Sequence, residues 1–202
     1  MPQDLPRLYL VRHGSTDWAE AHRFTGRTDL PLNARGEENA RRLASRLRGL
    51  RFSRVFTSPL QRARRTCELA GFASAAKIDT DLLEWSYGQL EGRSSAEVAR
   101  ELPAWNLFRN GAPGGESPRD VAERADRFID TVRQSPGDSI AFASAHIIRV
   151  IAARWIDLGP EAAGQFLCST ASVSILCYEH TLQRPAIELW NDDGSRLQYV
   201  RP

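Results

Sequence analysis

The stretch Leu8-Tyr9-Leu10-Val11-Arg12-His13-Gly14-Ser15-Thr16 is an apolar run of strand character that delivers an arginine and a histidine straight into a glycine-containing turn. In open α/β sheets ligands bind beyond the carboxyl ends of the strands, so His13 is expected to face a crevice. A lone histidine at such a place is more often a structural hydrogen-bonding group. Arg12 shifts that balance, because a guanidinium beside a turn offering backbone N–H groups suits an oxyanion.

Two other junctions repeat the arrangement. Phe52 to Thr57 reads as a second strand, after which Ser58-Pro59 opens a helix with the inner stripe Ala63, Cys67 and Ala70, ending near Gly71. Arg62 stands in its first turn, at the helix's positive end. Ile140 to Ser144 is a near-continuous apolar strand of the buried parallel kind. His146 follows it and precedes Ile147-Ile148-Arg149-Val150-Ile151, a helix start apolar enough to be buried on most sides. Packed in one sheet, the junctions at Arg12-His13, Arg62 and His146 would form a single electropositive pocket.

The segments between are consistent with that sheet. Arg23 to Leu32 has turn residues and no periodicity, a loop placed to fold back over His13. Ala40, Leu43, Ala44 and Leu47 recur at helical spacing and predict a helix from about Gly36 to Arg48. From Asp79 to Pro118 the pattern weakens into short helical pieces around Ser95 to Leu102 and Ala104 to Asn110. Trp85, Tyr87, Trp105 and Phe108 there read as packing for a small cap, an insertion over about 85–118. Ser117 and Asp120 are placed to cap a helix carrying Val121, Ala125, Phe128, Ile129 and Val132. Strands are expected around Val173 to Tyr178 and Ala186 to Trp190.

The chain has 202 residues, which favours a single domain over 1–202. With 42% hydrophobic and 26% charged residues, neither disorder nor a fibrous class is favoured. No apolar run approaches a membrane span and the N-terminus carries charge, so the cytoplasm is the default location and no membrane partner is expected. Cys67, Cys168 and Cys177 lack a pairing motif, and the four histidines lack zinc spacing, so no metal and no cofactor are expected. Lys77 is the only lysine among 27 basic residues, yet the net charge is only +2. Arg41, Arg42, Arg46 and Arg48 fit a solvated helical face, which argues against nucleic acid as a partner.

A cationic pocket suits phosphoryl transfer, where catalysis is largely positioning and electrostatic stabilisation. The chain lacks a glycine-rich P-loop and an obvious acidic metal site, which leaves a nucleophilic histidine as the route, with His13 in that role.

Here the sequence resembles a known family. Arg12-His13-Gly14-Ser15-Thr16 is similar to the signature of the histidine phosphatase superfamily, the phosphoglycerate-mutase-like proteins. Arg23-Phe24-Thr25-Gly26 resembles the family's phosphate-side loop, Ser58-Pro59-Leu60-Gln61-Arg62 its second arginine motif, and Ser144-Ala145-His146 its second histidine. Leu82-Leu83-Glu84 with Gly88 and Glu91-Gly92 resembles the segment with its acidic proton donor. The resemblance implies a three-layer α/β/α sandwich around a mostly parallel sheet. It makes His13 the nucleophile, with Arg12, Arg62 and His146 on the phosphoryl oxygens and Glu84 the general acid, its pKa raised by enclosure. Thr16, Thr25, Gly26 and Ile147 become candidate substrate contacts.

Two departures stand out: Ala19 replaces a frequent asparagine, and Ile147 a frequent glycine. The segment between Glu84 and Ser117 is short and lacks the paired basic residues of the mutases. The resemblance therefore implies a phosphatase for a small phosphorylated metabolite, in the branch of bacterial acid phosphatases and the fungal sedoheptulose bisphosphatase. The alternatives are a phosphoglycerate mutase and a non-catalytic phosphate- or phosphoprotein-binding module. A homodimer is the candidate assembly.

Overall fold

The computed structural model describes residues 5–195. In chain order the elements are β1 (Leu8–Arg12), α1 (Asp17–Glu20), α2 (Ala34–Arg46), β2 (Arg54–Thr57), α3 (Gln61–Leu69), β3 (Ala76–Ile78), α4 (Ser95–Glu101), α5 (Leu107–Asn110), α6 (Pro118–Arg133), β4 (Ser139–Ala143), α7 (Ala145–Trp155), β5 (Val173–Tyr178) and β6 (Pro185–Asp192). The six strands form one sheet in the order β3-β2-β4-β1-β5-β6. The first four of these run parallel, while β5 and β6 are antiparallel to their neighbours.

Strand alternation sends successive side chains to opposite faces, and helices cover both. From β1, Leu8 and Leu10 join a core with Phe128, Ile129 and Val132 of α6 and with Ile147, Ile148 and Ile151 of α7. Tyr9 and Val11 enter the other core with Leu43 of α2 and Cys67 of α3. In β4, Ala141 and Ala143 lie with the first group, Ile140 and Phe142 with the second. The result is the three-layer α/β/α sandwich that the resemblance implies.

Several boundaries differ from the sequence expectations for local reasons. α2 starts at Ala34 because the Asn33 side chain accepts the Gly36 N–H at 2.8 Å. β2 starts only at Arg54, since Phe52 turns inward to meet Tyr9 edge-on at 5.0 Å. β3 was not expected: it is a three-residue edge strand with exposed Lys77 and Ile78, and such a strand carries no apolar pattern. α6 begins with the expected cap, in which Ser117 and Asp120 bond each other's backbone N–H groups. In the segment 85–118, Trp85, Tyr87, Leu90, Val98, Leu107 and Phe108 lie in the core they share with α6 and α7.

Close approach fixes the turn after β1. A Cβ on Gly14 would lie 2.3 Å from the Gly36 carbonyl oxygen, and one on Gly36 would lie 2.0 Å from that of Ser15. Both positions demand glycine, and together they press the start of α2 against the turn that carries His13. No helix among the described residues is long and apolar enough to cross a membrane.

Candidate active site

β1, α3 and α7 bring their junction residues together at one end of the sheet. A cavity of about 310 Å³ there is lined by Arg12, His13, Thr16, Glu84, Tyr87 and His146, among others. A larger cleft of about 570 Å³ lies among α2, α3 and β3 and contains none of these residues. Its Arg65 is already paired with Glu37 and Glu68.

His13 follows β1 and is buried. Its Nδ1 lies 2.7 Å from the Gly14 carbonyl oxygen. A carbonyl only accepts, so Nδ1 carries the proton and Nε2 keeps the lone pair. Burial, followed by the charges of Arg62 and Arg12, holds the His13 pKa well below the usual imidazole range. The ring is therefore neutral, with its free lone pair at Nε2.

Arg62 is fully buried. Its guanidinium donates to the carbonyls of Thr28 at 2.9 Å, Thr25 at 3.1 Å and Gly26 at 2.9 Å. Asp29 of the same loop accepts the Gln61 N–H at the start of α3, and Glu91 accepts the N–H groups of Gly26 and Thr28. The loop thus folds back toward His13 and is fastened from two sides. Arg12 donates to the Cys168 carbonyl. The Nε–H groups of Arg12 and Arg62 are buried without a partner among the described residues. Arg12 lines the cavity, so its unpaired buried donor marks a place for an anion, whereas Arg62 does not line it and acts on the site through its charge beside His13.

Glu84 shows the largest departure from expectation. Its carboxylate accepts the N–H groups of His146 and Ile147 at 3.0 Å each and of Trp85 at 2.9 Å, so it caps the N-terminus of α7. Burial pushes its pKa up, but the backbone amides of His146, Ile147 and Trp85 outweigh burial and hold it below the usual carboxylate range. The enclosed carboxyl is ionised, not protonated as enclosure alone implied. His146 also differs from expectation, since burial lowers its pKa despite the opposing pull of Glu84. At neutral pH the fixed positive charge therefore comes from the arginines, Arg12 and Arg23 in the cavity wall and Arg62 beside His13, and not from His146.

Thr16 and Thr25 line the cavity, although the Thr16 hydroxyl already accepts the Ala19 N–H at 3.2 Å. Gly26 and Ile147 do not line it. The Ile147 N–H is taken by Glu84 and its side chain is buried in the core, while the Gly26 N–H and carbonyl are taken by Glu91 and Arg62. Ala19 presents a methyl group to the wall where an asparagine would present an amide. Glu116, the other acid near the cap, bonds the Ser86 N–H and Arg124 and lies outside the cavity. Tyr87, read from sequence as packing, reaches His146 through its hydroxyl. Among the described residues no group of three or more His, Cys, Asp or Glu side chains is placed to hold a metal ion.

Comparison with known proteins agrees with this geometry. The chain is 36% identical over 192 residues to the sedoheptulose 1,7-bisphosphatase of Saccharomyces cerevisiae, which covers 79% of this chain and 70% of that protein. It is 33% identical over 186 residues to an acid phosphatase of Mycobacterium tuberculosis, covering 90% of this chain and 91% of the relative. The solved structure of an open reading frame product from Mycobacterium tuberculosis matches with a TM-score of 0.87 at 29% identity, over 92% of this chain and 97% of that one. Residues 8–193 match the histidine phosphatase superfamily (branch 1), and this chain belongs to that family as a phosphatase.

Proposed function

We propose that this phosphatase hydrolyses a small phosphorylated metabolite, a sugar phosphate, through a phosphohistidine formed on His13. The observation that carries the reading is the lone pair held at Nε2 of a neutral, buried His13 whose pKa is depressed by burial and by the charges of Arg62 and Arg12. The cavity is at the small end of ligand sites, which supports a metabolite rather than a macromolecular substrate. The names of the sedoheptulose bisphosphatase and acid phosphatase relatives support the same substrate class. The segment 85–118, contributing Tyr87 and Ser95 to the wall, serves as the cap of a single catalytic domain.

In the first step the Nε2 lone pair attacks phosphorus as the ester P–O bond breaks, with Arg12 and Arg62 stabilising the charge on the phosphoryl oxygens. The leaving oxygen takes a proton from Glu84. That role requires Glu84 to gain a proton on substrate binding, and a phosphoryl dianion beside the carboxylate raises its pKa in that direction. In the second step Glu84 accepts a proton from water, the water oxygen attacks phosphorus, and the P–N electron pair returns to His13.

Glu84→Gln tests the proton transfer. An alkyl phosphate expels a basic alkoxide that needs a proton, whereas an activated aryl phosphate expels a stable phenolate. We expect the variant to lose about 10²-fold or more in His13 phosphorylation by the alkyl ester and only a few-fold with the aryl ester, measured by rapid quench. Equal losses would remove Glu84 from the proton path. Phosphate release from a panel of small phosphomonoesters tests the reaction class. Isomerisation of phosphoglycerate outpacing phosphate release would replace the phosphatase reading with the mutase one.

A further inference from the structure

His146 is held by three neighbours. The Tyr87 hydroxyl lies 2.6 Å from Nδ1. Phe108 packs against the ring at 5.4 Å between centroids. Glu84 Oε2 lies 3.5 Å from the same Nδ1, too far for a good hydrogen bond. Nε2 has no hydrogen-bond partner among the described residues, and the ring borders the cavity.

A contact between a hydroxyl and an imidazole nitrogen has no direction until the other partners are counted. The hydroxyl of the buried Tyr87 has no second hydrogen-bond partner among the described residues. If it accepted a proton from Nδ1, its own proton would find no acceptor among the described residues and would be left to the cavity, whereas donation to Nδ1 satisfies the hydroxyl within the protein. Burial and the nearby Glu84 carboxylate keep Tyr87 protonated by raising its pKa well above the usual phenol range. We infer that Tyr87 is a positioning residue whose O–H donates to Nδ1 of His146, fixing His146 as the Nε2–H tautomer.

The two site histidines are then held in opposite tautomers. The Gly14 carbonyl takes the Nδ1 proton of His13 and leaves a lone pair at Nε2. The Tyr87 hydroxyl fills Nδ1 of His146 and leaves a proton at Nε2. One ring is set to attack and the other to donate to a phosphoryl oxygen without first acquiring a charge. The catalytic consequence rests on the phosphatase reading, but the tautomer itself does not.

The test is NMR on protein carrying ¹⁵N-labelled histidine, where only four histidines contribute and loss of one signal set in His146→Gln assigns His146. At neutral pH His146 is expected to show a protonated Nε2 and an unprotonated Nδ1. A protonated Nδ1, alone or in an imidazolium, overturns the inference whether or not the protein turns over. Tyr87→Phe keeps the ring that packs edge-on against Phe24 at 5.0 Å between centroids. It is expected to let His146 sample both tautomers and to slow His13 phosphorylation by roughly 10- to 100-fold, with kcat changing more than KM. A variant with the wild-type His146 spectrum overturns the inference at any rate of turnover. Wild-type protein with the expected spectrum and no hydrolysis of any phosphomonoester would instead reject the phosphatase reading.

Discussion

His13→Ala is expected to abolish turnover, with a loss of about 10⁴-fold or more, while the protein stays folded. Removing a covalent nucleophile eliminates the whole stepwise route, leaving only what the surrounding donors contribute to direct water attack. The structural cost is small because the ring's one hydrogen bond is to the carbonyl of the next residue. Deleting an imidazole that is kept neutral beside two cations also removes no ion pair. The comparison is steady-state kcat with thermal unfolding of the same sample. Residual turnover within tenfold of wild type would show that His13 is not the nucleophile.

Arg62→Ala should act on rate and stability together. The guanidinium supplies the largest charge effect on His13, and loss of one transition-state donor elsewhere costs about 10²- to 10³-fold in turnover. It is also the clamp for the loop, since its removal leaves the carbonyls of Thr25, Gly26 and Thr28 without their donor. Each acceptor left buried and unpaired costs about 1–3 kcal/mol, and solvent reaching the loosened loop relieves part of that. The expected result is a fall of at least 10²-fold in kcat and a clear drop in Tm. Arg62→Lys restores a charge but not the planar fork, so it should recover little of either. Full activity with an unchanged Tm would place Arg62 outside both roles.

Much of this was legible because the deciding residues lie at ends of apolar strands. The runs ending at Arg12, Thr57 and Ala143 announce themselves by burial on both faces, and the residue after each strand inherits its position from the sheet. Charge state was not legible. Glu84 is ionised because it meets the amides of His146 and Ile147, some 62 residues further on, and no local pattern reports that approach. His146 was counted as a potential cation, whereas its burial among Phe108, Tyr87 and the helix start keeps it neutral. Tyr87 sat among aromatic residues that fill the core, and only the placement of its hydroxyl separates it from Trp85 or Phe108. The same applies to Gly26 and Ile147, whose backbone groups are consumed by Glu91, Arg62 and Glu84.

The central claim is a neutral His13 that carries the phosphoryl group on Nε2. It is tested most directly by mixing enzyme with a labelled aryl phosphate, quenching in base within the first turnover, and mapping the label by mass spectrometry and by comparison with the two phosphohistidine isomers. Because the His13 pKa lies well below its usual value, the nucleophile stays unprotonated as pH falls through the ordinary imidazole range. The account predicts label on Nε2 of His13, formed at about pH 6 within a few-fold of its rate near pH 7.5. Label on Nδ1, label on another residue, or a rate that collapses across that interval would contradict it.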